Sequence, residues 1–193
     1  MKARIVFAFV LLVPNIMAQT LRVGSMTVQL GMTKAQFAAI APDQYEFAGY
    51  DLPSTIYGKQ GDNKPIEMMP DGRLSVCEQT SYQSTQFACH GEVVFKNGKL
   101  VYATRGWNTA QSYSPEDTSD NMLAAVVNGL RAVSEYSHDC RIISKEMVLP
   151  DHHPILTWVT CGTHTLVISK GTSLFAGKQS PRADVSEEIG DDH

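Results

Sequence analysis

Apolar residues along this chain recur in short pieces whose period switches between two and 3.6, the spacings of strand and helix. An unbroken apolar run at 5–13 is followed by short extended pieces at 21–23 and 26–30. Gly31-Met32-Thr33-Lys34-Ala35-Gln36-Phe37 then carries a helix start, in which Thr33 caps, Gln36 reaches back to it and Met32 staples onto Phe37. Pro42 ends that helix by Ala41. Residues 43–73 are rich in turn formers, with Pro53, Gly58, Gly61, Pro65, Pro70 and Asp71-Gly72, and predict exposed loops around short strands at 54–57 and 66–68. Residues 74–107 predict a three-stranded antiparallel meander. Its last hairpin turns at Asn97-Gly98, because a type I′ turn needs positive φ at both central residues.

The order then repeats. Ser114-Pro115-Glu116-Asp117 supplies a cap, a proline at the first helical position and acids in the first turn. Met122, Leu123, Val126, Val127, Leu130 and Val133 recur at helical spacing and predict one apolar face on a helix ending near Ser137. Strands are predicted at 141–149, 155–161 and 164–169. Residues 177–193 mix serine, proline and acids without apolar periodicity, which predicts a disordered acidic tail. The implied fold class is α+β, with helices packed on antiparallel β-meanders in two successive helix-plus-meander halves, 19–110 and 111–176. Val93, Phe95, Leu100 and Tyr102 in one half, and Trp158, Leu166 and Ile168 in the other, are expected to line the helix-covered faces.

The first residues add a compartment. Lys2 and Arg4 precede the apolar run, Pro14 breaks it, and Ala18 stands before Gln19, the layout of a signal peptide over 1–18. The run is nine residues, against the roughly 20 that span a bilayer. Cleavage removes two of the 16 Lys and Arg residues and none of the 20 acids, leaving a net charge of −6. A mildly acidic chain without basic clusters argues against nucleic acid and against an anionic membrane surface. No later segment reads as a membrane span. The expected location is the periplasm or the extracellular medium.

Export changes the meaning of the four cysteines, since an even count in an oxidising compartment implies disulfides. A turn at Tyr82-Gln83-Ser84 sets Cys77 opposite Cys89, and a turn at Pro150-Asp151 sets Cys140 opposite Cys161. The preferred bridges are therefore Cys77–Cys89 and Cys140–Cys161; the alternative, with those turn registers off by a residue, is a pairing that crosses between the halves. A four-cysteine zinc site is disfavoured, because no C-x-x-C knuckle is present.

Leu30-Gly31-Met32-Thr33-Lys34-Ala35-Gln36, answered by Gly91-Glu92-Val93-Val94-Phe95-Lys96-Asn97-Gly98-Lys99-Leu100 and closed by Arg105-Gly106-Trp107, resembles the SmpA/OmlA (BamE-like) family. That family shares its fold with the β-lactamase-inhibitor protein, and the resemblance covers roughly 21–107. It implies a helical pair on a three-stranded antiparallel sheet. It also implies an envelope or secreted module that binds other proteins and is not an enzyme.

Candidate chemistry is sparse. Asp151-His152-His153, with His164 on a nearby strand, holds metal-ligating groups, but neighbouring side chains on a strand point to opposite faces, so the cluster reads as a polar hairpin tip. His138-Asp139 reads as a helix end. No G-x-S-x-G elbow or phosphate-cradling glycine loop occurs, and His90 beside Cys89 is discounted as a thiol site by export. No cofactor, no metal and no catalytic residue is predicted. Tyr45, Phe47, Tyr50 and Tyr57 in the long loop, with Trp107 and Tyr113 at the junction, are the candidate binding residues; the alternative is that they complete core edges. The expected function is a non-catalytic, disulfide-stapled protein-binding module, either an envelope accessory or an inhibitor, whose partner is another protein. The alternative is a secreted enzyme or small-ligand binder with a site between the halves. Partner identity and oligomeric state are not encoded in any of these motifs.

Overall fold

The computed structural model describes residues 19–49, 55–79, 87–110, 115–148, 154–175 and 178–191. The expected signal peptide, the turns at 82–84 and 150–151, and the Asp151-His152-His153 cluster lie outside them. A small hairpin, β1 (Thr20–Val23) and β2 (Met26–Gln29), precedes helix α1 (Lys34–Ile40). Strands β3 (Tyr45–Gly49), β4 (Ile56–Gly58), β5 (Gly72–Gln79), β6 (Phe87–Lys96) and β7 (Lys99–Ala110) follow. Helix α2 (Pro115–Ser134) leads to β8 (Cys140–Glu146), β9 (Ile155–Cys161), β10 (His164–Phe175) and β11 (Lys178–Gly190).

Local signals form where they were expected. The Thr33 side chain accepts from the Gln36 backbone at 3.3 Å, and Gln36 Oε1 accepts from the Thr33 backbone at 2.8 Å. This reciprocal pair satisfies two N–H groups that the first turn of a helix leaves free. Ala41 is extended, as the residue before a proline must be, and the helix stops there. Asn97 and Gly98 have φ of 51° and 71°, the left-handed pair that the β6–β7 turn requires.

The fold class corrects the sequence reading. Among the described residues the protein is mostly β, a nine-stranded antiparallel sheet in the order β4-β3-β5-β6-β7-β11-β10-β9-β8 beside the two-stranded β1–β2 sheet, and it does not divide into two helix-plus-meander halves. The segment expected to be a disordered tail is β11, an interior strand paired with β10 on one side and β7 on the other. It zips the two meanders into a single sheet. Its alternation is real: Val185, Glu187 and Ile189 are buried while Ser186 and Glu188 between them are half-buried. An acid at an inward position hides that period in the sequence. The long loop is also more ordered than expected, since it contains β3, and 66–68 forms a 3-10 turn rather than a strand.

One face of the sheet carries two apolar clusters. In the first, α1, the β1–β2 hairpin and the 3-10 turn cover Phe47, Val76, Leu74, Val93, Phe95 and Leu100. Phe37 of α1 stands edge-on to Phe47 and Phe95, with ring centroids 5.2 and 5.4 Å away. In the second, α2 covers Val159, Cys161, Leu166 and Val185. Gly129 permits that approach, because a Cβ there would overlap Leu166 Cδ1. Trp158 faces the other way from Leu166, paired with Val167 and Ile143 on the uncovered face.

Candidate interaction surface

Three central strands bring together a buried charge cluster. Arg105 on β7 lies opposite Glu187 on β11, and His164 starts β10 one diagonal away. Arg105 Nε and Nη2 donate to Glu187 Oε2 at 2.8 and 2.6 Å, and His164 Nδ1 donates to Oε1 at 2.7 Å. Burial alone would push the Glu187 carboxyl up, but the His164 hydrogen bond and the Arg105 charge outweigh it and hold the group below its ordinary value. Tyr136, just past α2, lies flat on the imidazole with ring centroids 3.3 Å apart. A register shift between Val185 and Ser186 makes Trp107 the extra residue of a bulge, and the Arg105 guanidinium sits 4.1 Å from its ring centre. Its indole N–H is buried without a hydrogen-bond partner among the described residues.

This cluster ties three strands together and lies buried among them. His164 is 1% exposed, its Nδ1 is committed to Glu187, and the Tyr136 ring covers one of its faces. Among the described residues no group of three His, Cys, Asp or Glu side chains is placed to hold a metal. Glu187 was missed in the sequence because its signal was the alternation of Val185, Glu187 and Ile189, inside a segment that reads as a tail, and Arg105 was read only as part of a motif closing the hairpin.

A second polar group fixes the other cluster. Tyr45 Oη accepts from the Ser25 backbone at 2.9 Å, the Tyr45 ring stacks on His90 at 5.2 Å, and His90 Nε2 meets Glu78 at 3.1 Å. His90 is the bulged residue where the β5–β6 register shifts, beside the Cys77–Cys89 bridge.

The candidate binding aromatics are corrected by burial. Tyr45, Phe47 and Tyr57 are buried members of the first apolar cluster, so they present no contact surface. Trp107 is half-buried against Arg105. Tyr50 and Tyr113 lie outside the described residues.

Exposed apolar side chains gather elsewhere. α2 packs on β7, β11, β10 and β9, and β8 is the terminal strand of the sheet beyond them among the described residues. Every residue of β8 is exposed. Ile142 pairs with Val159 and so shares the helix-covered face, where it is 67% exposed; Ile143, on the opposite face, is 44% exposed. Leu123, Val127 and Leu130, expected on the buried face of α2, form an exposed row along it instead. Arg141, Lys145 and Glu146 are the charges along the edge, the kind of residues that discourage indiscriminate strand pairing. The Cys140–Cys161 bridge anchors β8 at one end, and Cys77–Cys89 is the second bridge, both as the hairpin registers imply.

No membrane-spanning helix exists among the described residues. Comparison with family models, curated proteins and solved structures finds no match to this chain.

Proposed function

We propose that this chain is an exported, non-catalytic protein-binding module that offers the β8 edge to an extended segment of its partner. The observation that carries the reading is an edge strand exposed along its whole length, with an isoleucine uncovered on each face. An unpaired edge presents backbone N–H and C=O groups that a second strand completes, and flanking apolar side chains add selectivity. The staple at Cys140 holds that edge in its extended form before any partner arrives, which lowers the ordering entropy of binding. Two disulfides fit an oxidising compartment. The resemblance of the α1 start and the β6–β7 hairpin to the SmpA/OmlA (BamE-like) family supports the class, an envelope accessory or an inhibitor, in the periplasm or outside the cell.

The test is capture by the immobilised mature chain, followed by reconstitution with each captured protein in purified form. On binding, amides over 141–145 are expected to gain hydrogen-exchange protection. The double variant Ile142→Lys, Ile143→Lys is expected to abolish both capture and protection while keeping its melting temperature. Binding that survives in the double variant would place the interface elsewhere.

A further inference from the structure

We infer that the segment paired with β8 is β8 of a second copy, in the one antiparallel register that sets Ile142 against Ile142 on a two-fold axis. The inference rests on β8 being an interaction edge, and it names the occupant of that edge.

Symmetry limits the choices. Two copies of one strand paired antiparallel about an axis normal to the sheet keep the same face up, so opposed residues must be an even number of positions apart. Five such registers are centred inside β8 with strand residues on both sides, on Arg141, Ile142, Ile143, Ser144 or Lys145. Centring on Arg141 or Lys145 sets that cation against itself. Centring on Ile143 sets Arg141 against Lys145 of the second copy. All three place like charges directly across the pair, which is destabilising. Centring on Ser144 sets Ile143 against Lys145 of the second copy and matches no opposite charges. Only the Ile142 register sets an acid directly opposite a lysine or arginine. It sets Asp139 against Lys145 of the second copy, twice by symmetry, and sets Arg141 against Ile143, whose exposed face the arginine stem covers.

Arg141, Ile142, Ile143 and Lys145 lie on β8, and Asp139 directly precedes it. Asp139, Arg141, Ile142, Ile143 and Lys145 are all exposed. Ile142 projects on the face that carries α2, beside Val159, so two copies would bury a pair of isoleucines at the seam. The two nine-stranded sheets would become one continuous sheet with both edges of the seam paired. A single strand pair lies at the small end of interface sizes, so the dimer is concentration-dependent and roughly micromolar.

Charge exchange tests the register. In sedimentation velocity of the mature chain, the wild type is expected to pass from monomer to dimer as concentration rises through the micromolar range. Asp139→Lys and Lys145→Asp each place like charges across both ends, and each is expected to raise the dimer dissociation constant at least roughly tenfold. An equimolar mixture of the two single variants restores an acid opposite a lysine at both ends, and is expected to dimerise like the wild type. This rescue excludes misfolding as the cause of the losses. A wild type that stays monomeric at every concentration, or single variants whose mixture remains monomeric, overturns the inference. If such a monomer still binds a reconstituted partner in an Ile142-dependent way, the binding-module reading stands and only the identity of the occupant falls.

Discussion

His164 Nδ1 meets Glu187 Oε1 at 2.7 Å in the interior of the sheet, with the two side chains 1% and 0% exposed. The contact joins the first residue of β10 to an inward position of β11, and Arg105 extends it to β7. Glu187 stands between Val185, which belongs to the α2 cluster, and Ile189, which belongs to the α1 cluster. The charge cluster is therefore the seam between two apolar cores on one sheet. A buried charge of this kind is stable only while its partners are in place.

Removing the carboxylate is accordingly expected to be severe. Glu187→Ala leaves Arg105 without its counter-charge and His164 Nδ1 without its partner, and should cost on the order of 3–5 kcal/mol in urea unfolding at neutral pH. The pH dependence follows from the lowered carboxyl. The folded state releases this proton at lower pH than the unfolded chain does, so the stabilisation is complete above the ordinary glutamate value of 4.5. It is lost as pH falls from there through the lowered folded value. Unfolding curves of wild type and Glu187→Gln should therefore converge on acidification through that window. A constant gap between them would show that the charge of Glu187 is not what stabilises the seam.

The two disulfides should behave differently although each closes a short loop, with cysteines 12 and 21 residues apart, worth about 3 kcal/mol in chain entropy. Cys140–Cys161 holds the edge strand, and Cys161 is buried under α2. Replacing Cys140 and Cys161 by alanine should release β8, seen as faster hydrogen exchange over 141–145. Replacing Cys77 and Cys89 should lower stability without changing exchange at β8. Equal exchange in both double variants would mean that backbone pairing with β9 alone fixes the edge.

What could be read in advance was local. The Thr33–Gln36 capping pair, the Asn97-Gly98 turn and both cysteine pairings follow from groups a few residues apart or opposed across one hairpin. The position of β11 does not. Its insertion between β7 and β10 is a non-local pairing, Pro181 within it reads as a strand breaker, and Glu187 interrupts its apolar alternation. Burial of Tyr45, Phe47 and Tyr57 was equally hidden, because aromatic rings suit a core and a binding surface alike. The exposed edge at Ile142 and Ile143 was invisible for a related reason. Alternation marks a strand, but whether a further strand covers its edge depends on the order of the whole sheet.

Gly129 tests how closely α2 lies on the sheet. Alanine there raises helix propensity by about 1 kcal/mol, but its Cβ would overlap Leu166 Cδ1, a fully buried side chain. Overpacking in a closed core costs roughly 1–3 kcal/mol, so the clash should win and Gly129→Ala should be destabilising in thermal unfolding. Combining it with Leu166→Val, which removes volume at that contact, should recover part of the loss. A stabilised Gly129→Ala variant would mean that α2 sits further from β10 than this packing requires.

Tyr136 offers the most selective probe of the seam, because its ring and its hydroxyl can be separated. The ring lies within 6° of parallel to the His164 imidazole and covers it, although the residue itself is 47% exposed. Burial first, and then the negative charge of Glu187, pushes the hydroxyl above its ordinary value of 10.0. The folded state thus keeps this proton to higher pH than the unfolded chain, so the corresponding stability is complete below that value and is lost as pH rises through the folded one. Tyr136→Phe retains the stack and removes the ionisation. It should match the wild type within about 0.5 kcal/mol at neutral pH and lose less stability on the alkaline side. Tyr136→Ala removes the ring itself and should cost about 1–2 kcal/mol at neutral pH, through loss of the stack and admission of water to the His164–Glu187 contact. Denaturant titrations of the three proteins between neutral pH and about pH 11 separate these effects. An alkaline loss in Tyr136→Phe as steep as the wild type's would assign that limb to other groups, and a neutral Tyr136→Ala variant would show that the ring does not shield the pair.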